Sequence, residues 1–297
     1  MRPAPSLLLF TVLSGIGFGT LALAALARAS PSVWAAGYAL ALAGLVASTF
    51  HLAHPLRARF AFRRLRTSWL SREAWGAVAA LALLMPVALA DLAGGPRPIF
   101  WGMAGGLACL GTVISTAMIY GQLRAVPRWH HWSTPALFPG FAAAGGALIA
   151  MPGPWAAALC VALSAGLAAS FVSGDRHVAR CALTTGRVTG LARFGRVRSF
   201  EPPSTGPTWL TREIVTGRPR SRVLRGLAVL LAGVAPAAVL ILAPGAVPLA
   251  GALHLAGAFV ARWLFFAEAR HVAGLFHGVP LAPAPKAALK PAPAARG

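Results

Sequence analysis

The stretch SLLLFTVLSGIGFGTLALAALA (residues 6–27) contains no charged side chain. About 20 apolar residues in a row cross the hydrocarbon core of a bilayer as a helix, because in lipid each backbone N–H and C=O must bond within its own segment. Arg2 before the run and ALARAS (25–30) at its end give it the outline of a secretory signal. The run is longer than a signal core and a second apolar block follows at once, so it reads as the first transmembrane helix. Seven further blocks repeat the pattern, at 33–52, 74–94, 98–120, 135–152, 155–174, 223–243 and 247–268. The fold class is therefore all-α, a polytopic membrane protein with eight transmembrane helices. Composition agrees: 57% of the 297 residues are hydrophobic and 11% charged, against about 25% charged in soluble domains.

Connections and charge set the topology. MPGPW (151–155) and APGAVP (243–248) are tight Pro/Gly joints that make antiparallel hairpins of the flanking spans. The net charge is +21. Of the 27 Lys and Arg residues, 24 fall on the side that holds both termini and the even-numbered connections, and only Arg28 and Arg97 fall on the other. The positive-inside rule places the first side, with both termini, in the cytoplasm of a bacterial inner membrane. The basic residues lie between apolar blocks, which points to membrane topology and away from nucleic acid. Trp34, Trp75, Trp101, Trp129, Trp132, Trp155 and Trp263 fall near span ends, as an aromatic belt requires. Gly15/Gly19 and Gly102/Gly106 have the spacing that lets helices approach closely.

The hexapeptide SWLSRE (68–73), ahead of the third span, returns as TWLTRE (208–213) ahead of the seventh. This divides the chain into a first four-helix half (1–134) with a basic loop at 54–73, and a second (135–280) with a long basic cytoplasmic loop at 175–222. A disordered Ala/Pro-rich tail (281–297) follows.

Candidate chemistry gathers at the cytoplasmic edge. His51 and His54 share a face if the second helix continues through them, and Pro55 marks its end. A histidine at this depth either anchors a helix end at the headgroups or bonds a quinone oxygen and exchanges a proton near neutral pH. Ala58, Phe62, Leu65 and Trp69 are spaced as one helical face, and Arg59, Arg63 and Arg66 as another. That predicts an interfacial helix whose arginines meet anionic membrane lipids or dock a soluble partner. Glu73 and Glu268 sit at membrane edges, and Arg262 lies about four turns into the last span. Ionisable groups at such depths are functional candidates, while Arg262 also reads as a snorkelling side chain with local charge pairing. His51 and His254 lie at different depths, so no bis-histidine haem is expected. Cys109, Cys160 and Cys181 lack metal spacing, which leaves no metal site and no disulfide framework to propose. No P-loop or GxSxG motif is present. A two-repeat secondary transporter, a haem b-containing quinone oxidoreductase subunit and an enzyme acting on lipid headgroups remain rival readings. The transporter would show discontinuous helices and polar groups at the midplane.

HLAHPLRA (51–58) resembles the HLGxPxRA signature of the membrane anchor subunit of the dimethyl sulfoxide reductase family, with Ala53 in place of its Gly. SWLSRE, AVPRWHHWSTPA (125–136), TWLTRE and RWLFFAEARH (262–271) resemble further patterns of one branch. The resemblance implies a non-catalytic, haem-free anchor. Such an anchor would hold an iron–sulfur electron-transfer subunit and a molybdopterin catalytic subunit to the membrane and exchange electrons with quinone. It implies a quinone and proton-transfer site at His51, Arg57 and Glu73; His54, Arg262 and Glu268, by position alone, are secondary candidates. Arg59, Arg63, Arg64, Arg66 and Arg212 would serve partner docking. The cytoplasmic charge resembles the sulfite-oxidising branch.

Overall fold

The structure, a computed structural model, describes residues 4–50, 55–195, 197 and 218–277, the side chains of 55–58 and 218–219 excepted. His51, His54, Arg212, the TWLTRE copy and the tail at 281–297 lie outside the described residues, as does the side chain of Arg57. The described residues form a bundle of eight helices long and apolar enough to cross a membrane: α1 (Pro5–Ala24), α2 (Pro31–Thr49), α3 (Trp69–Leu92), α4 (Ile99–Gly121), α5 (Ser133–Ala150), α6 (Pro154–Cys181), α7 (Arg220–Leu242) and α8 (Val247–Ala267). These are the eight spans expected from the apolar blocks. The protein is an all-α multi-pass membrane protein.

Two boundaries shift outward for local reasons. α3 begins at Trp69, not 74, because Ser68 caps it by accepting from the Ser71 N–H. Glu73 is thus inside the helix and no longer at its approach. α6 runs past 174 through GDRHVAR to Cys181. Asp175 there pairs with Arg128 and Arg225, contacts that hydropathy does not register. The expected interfacial α-helix is a 3-10 segment, Pro55–Arg64, followed by a turn. At three residues per turn, side chains four apart no longer share a face, and the segment ends before Leu65. The segment folds back on α3 instead. Trp75 Nε1 donates to Phe62 O at 3.0 Å, and Ser71 Oγ donates to Ala61 O.

α1 is the most enclosed span, with 61% of its apolar window buried against 50% for α5, the next highest. It crosses α5 where Gly19 meets Gly146. A Cβ on Gly146 would lie 2.4 Å from the Gly19 carbonyl carbon, so backbone packs on backbone there. Gly15, by contrast, has no neighbour within 4 Å of such a Cβ, and lines a small cavity. The buried apolar residues form two clusters, one centred on α1–α4 and one on α5–α8, with α1, α5 and α8 contributing to both.

α7 is continuous but contains a π-helical turn at Leu230–Val234. Pro236 has no N–H to offer the Ala232 carbonyl four residues back. His254 of α8 fills that place, Nδ1 to Ala232 O at 2.6 Å. Since a carbonyl only accepts, Nδ1 carries the proton. Ser164 Oγ of α6 donates to Val229 O at 2.8 Å, one turn away. His254 is 1% exposed and holds two helices together.

Two tryptophans depart from the belt expectation. Trp34 and Trp129 are buried, and their indole N–H groups are used internally, to Asp91 Oδ2 at 3.1 Å and to Phe265 O at 2.9 Å. Trp75, Trp101, Trp132 and Trp155 are exposed on the bundle's flank, as a belt requires.

Asp91 organises the bundle end opposite Glu73. Its Oδ1 lies 2.8 Å from Arg97 Nε and 3.9 Å from Arg28 Nη1, while Oδ2 also accepts from Ala29 N at 3.0 Å. The two basic residues of this face are thereby tied to one fully buried carboxylate side chain that clamps the α1–α2 and α3–α4 connections. Asp91→Ala is expected to lower stability by about 3 kcal/mol, the scale for removing one partner of a buried pair. Thermal unfolding in detergent would read it.

Candidate functional site

A cavity of about 950 Å³ opens between the 3-10 segment and α1–α4. Its walls are apolar: Phe10, Leu45, Phe60, Ala77, Leu81 and Ile119 line it. Polar groups enter at one end, from Glu73, Tyr120 and Ser71, with Ser48 and Thr49 at the end of α2. An apolar chamber with a few convergent polar groups is the usual build of a small-molecule site.

Glu73 is the chemical centre of this cavity. It is 4% exposed and has no cation within ion-pair distance among the described residues. Its one side-chain hydrogen-bond partner among the described residues is Thr116 of α4, whose Oγ1 meets Glu73 Oε1 and also lies 3.1 Å from Thr112 O. A hydroxyl has a single proton. When Thr116 gives it to Thr112 O, Glu73 must be the donor; when Thr116 gives it to Glu73, the carboxylate accepts. The pair therefore accommodates both protonation states of Glu73 without rearrangement. This is what a proton-exchanging group needs.

Arg63 and Arg64 also line the cavity, and both are exposed, as are Arg59 and Arg66. The Arg59 and Arg63 guanidinium groups sit over the Phe60 ring, at 5.1 and 4.6 Å from its centroid. Arg72 Nη2 donates to Arg66 O at 2.7 Å. The stretch holding His51 and His54 is bracketed by cavity-lining residues, Thr49 before it and Phe60 after it.

Arg262 and Glu268 sit elsewhere, on α8 and at its C-terminal cap. Arg262 is 7% exposed, and aromatic faces hold its charge: Phe138 at 3.7 Å, Phe265 at 5.6 Å and Phe141 at 5.8 Å. No carboxylate lies within ion-pair distance of it among the described residues, so the expected local charge pairing is replaced by cation–π contact. Arg262 also lines two small cavities, one shared with Thr116 and one with Glu268. Glu268 joins a five-residue network that ties α6, α7, the end of α8 and the α4–α5 loop. Arg225 Nε reaches Glu268 Oε1 at 2.7 Å and Arg128 Nη2 reaches Glu268 Oε2 at 3.0 Å. Both arginines also hold Asp175, at 2.6 and 2.5 Å, and Ser221 Oγ donates to Glu268.

Sequence reasoning does not single out Thr116 and Tyr120. The only signal is a hydroxyl near the end of an apolar span, and no pattern says that α4 presents that face to α3.

Residues 3–151, which include every residue lining the large cavity, match the family model described as DMSO reductase anchor subunit (DmsC). The chain belongs to the DMSO reductase anchor subunit family. The anchor subunit is also similar to a sulfite dehydrogenase subunit from Allochromatium vinosum, at 32% identity over 93% of this chain and 99% of that protein. No solved structure matches the anchor subunit. Its large cavity, with Glu73 at the polar end, therefore lies in the part of the chain that matches the family model.

Proposed function

We propose that the cavity binds quinone and quinol, and that the chain passes electrons between the membrane quinone pool and an iron–sulfur subunit joined to a molybdopterin catalytic subunit. The observation that carries this reading is the buried Glu73–Thr116 pair at the polar end of an apolar chamber of about 950 Å³. Quinol oxidation releases two electrons and two protons, and reduction of quinone takes up the same. The ring with its apolar tail matches the chamber's walls. Glu73 gives or takes a proton at the ring oxygen, and His51 and Arg57, on the adjoining stretch of sequence, are the further residues assigned to the quinone and its protons. The electrons go to, or come from, the iron–sulfur subunit.

The exposed arginines Arg59, Arg63, Arg64 and Arg66 form the docking platform, with Arg212 on the second long loop. They face the cytoplasm by the charge asymmetry, in a bacterial inner membrane. The name of the Allochromatium vinosum relative favours a sulfite dehydrogenase-like complex over a dimethyl sulfoxide-reducing one. Haem plays no part in this reading.

Affinity purification from native membranes in mild detergent tests it, with mass spectrometry and metal analysis of what comes along. Molybdenum and iron co-purifying with two further subunits, no b-type haem spectrum, and quinol-dependent reduction or oxidation of the complex are the expected results. The chain arriving alone, or coloured by haem b, would overturn the reading.

A further inference from the structure

The AVPRWHHWSTPA loop and the extension of α6 beyond 174 enclose a second concavity, of about 470 Å³, that the quinone reading does not use. His130, His131, Trp132, Arg176, His177 and Arg180 line it. Among the described residues no carboxylate does, because Asp175, next to Arg176 in sequence, is turned toward Arg128 and Arg225. Arg176 and Arg180 are four residues apart on one helix, so they share a face and repel each other. Both are exposed, and neither forms an ion pair among the described residues. The His131 and His177 rings lie 5.1 Å apart at the same place. Burial, then the neighbouring His177 and Arg128, hold the His131 imidazole below its usual proton affinity. The pocket thus concentrates positive charge with no counterion among the described residues.

Its position says what kind of anion fits. The pocket lies where α5 begins at Ser133, and exposed Trp132 stands at its rim, 56% accessible, in the place of an interfacial aromatic. Below it, the flank of α6 exposes Val172 and Val161, at 52% and 54%. A ligand with a phosphate at one end and acyl chains at the other meets both surfaces. Basic pockets at the ends of transmembrane helices are suited to such headgroups. We propose that this pocket seats the phosphate of an anionic phospholipid headgroup, with the acyl chains laid along α6. The site shares no lining residue with the quinone cavity.

The test uses the full chain in detergent, titrated with phosphatidylglycerol, with phosphatidylcholine and with inorganic phosphate, and read by native mass spectrometry. Phosphatidylglycerol is expected to remain bound to the wild type and phosphatidylcholine to dissociate. Arg176→Gln with Arg180→Gln is expected to weaken phosphatidylglycerol binding about tenfold or more. Arg193→Gln with Arg220→Gln removes the same charge from exposed positions at the same end of the bundle, and is expected to change binding less than about twofold. All four sites are exposed, and matching unfolding temperatures would certify both double variants as folded. Wild-type binding in the Arg176/Arg180 variant, equal loss in the control variant, or equal binding of phosphatidylcholine would each overturn the site. Displacement of phosphatidylglycerol by millimolar phosphate would overturn the lipid assignment in favour of a soluble anion.

Discussion

Glu73→Gln is expected to reduce quinol-linked turnover of the assembled complex about a hundredfold, the lower range for loss of a positioned general acid–base. Glutamine matches glutamate in size and keeps a carbonyl oxygen for Thr116, so the chamber and its apolar walls persist. The lost capacity is proton exchange alone. The effect should therefore fall on kcat, with KM for quinol changed only a few-fold, and with the partner subunits still attached. Thr116→Val removes the partner that lets Glu73 act as donor or acceptor, and should give a smaller loss of about tenfold. Steady-state kinetics on membranes holding equal amounts of complex measure both. Near wild-type kcat in the glutamine variant would remove Glu73 from the mechanism while leaving the cavity as a binding site.

The second large effect concerns the clamp at the same end of the bundle. Glu268→Ala leaves Arg128 and Arg225 facing one another across the space the carboxylate occupied, with only half-exposed Asp175 between them. Removing one partner of a buried ion pair costs about 3–5 kcal/mol. The Glu268 side chain is only 8% exposed, so solvent replaces little of what is lost. The unfolding temperature in detergent should drop clearly, and the ends of α6 and α7 should become accessible to protease. Arg225→Met combined with Glu268→Leu should be less damaging than the sum of its single changes, because each single change strands a charge that the double change removes. A Glu268→Ala protein within about 0.5 kcal/mol of wild type would show the network to be ornamental.

The eight spans and the charge bias are readable because both depend on runs of residues and not on neighbours in space. Helix ends fare worse where tertiary contacts extend them. Nothing within DRHVARC says that Asp175 finds two arginines from other segments, yet that pairing carries α6 on to Cys181. Tryptophan position near a span end does not separate Trp132, exposed on the flank, from Trp34, which closes on Asp91. The basic hinge is visible as a hinge, but its period misleads: apolar spacing suggests an α-helical face, whereas Pro55 opens a 3-10 segment pinned by Ser71 and Trp75. Of the site, Glu73 stands out because carboxylates are rare in this chain. Thr116 and Tyr120 do not, since their role depends on which faces of α3 and α4 meet.

The π turn in α7 also fixes an angle. One residue beyond the α-helical repeat advances the helix by about 100°. Everything before Leu230 is thus rotated against everything after Val234, and that offset lets Leu240 point into the apolar core while Arg225 reaches Glu268 and Asp175. Deleting any one residue of Leu230–Val234 would not simply shorten α7. It would turn the upper half of the helix like a key, swinging Arg225 away from both carboxylates and taking Ala232 O away from His254 in the same motion.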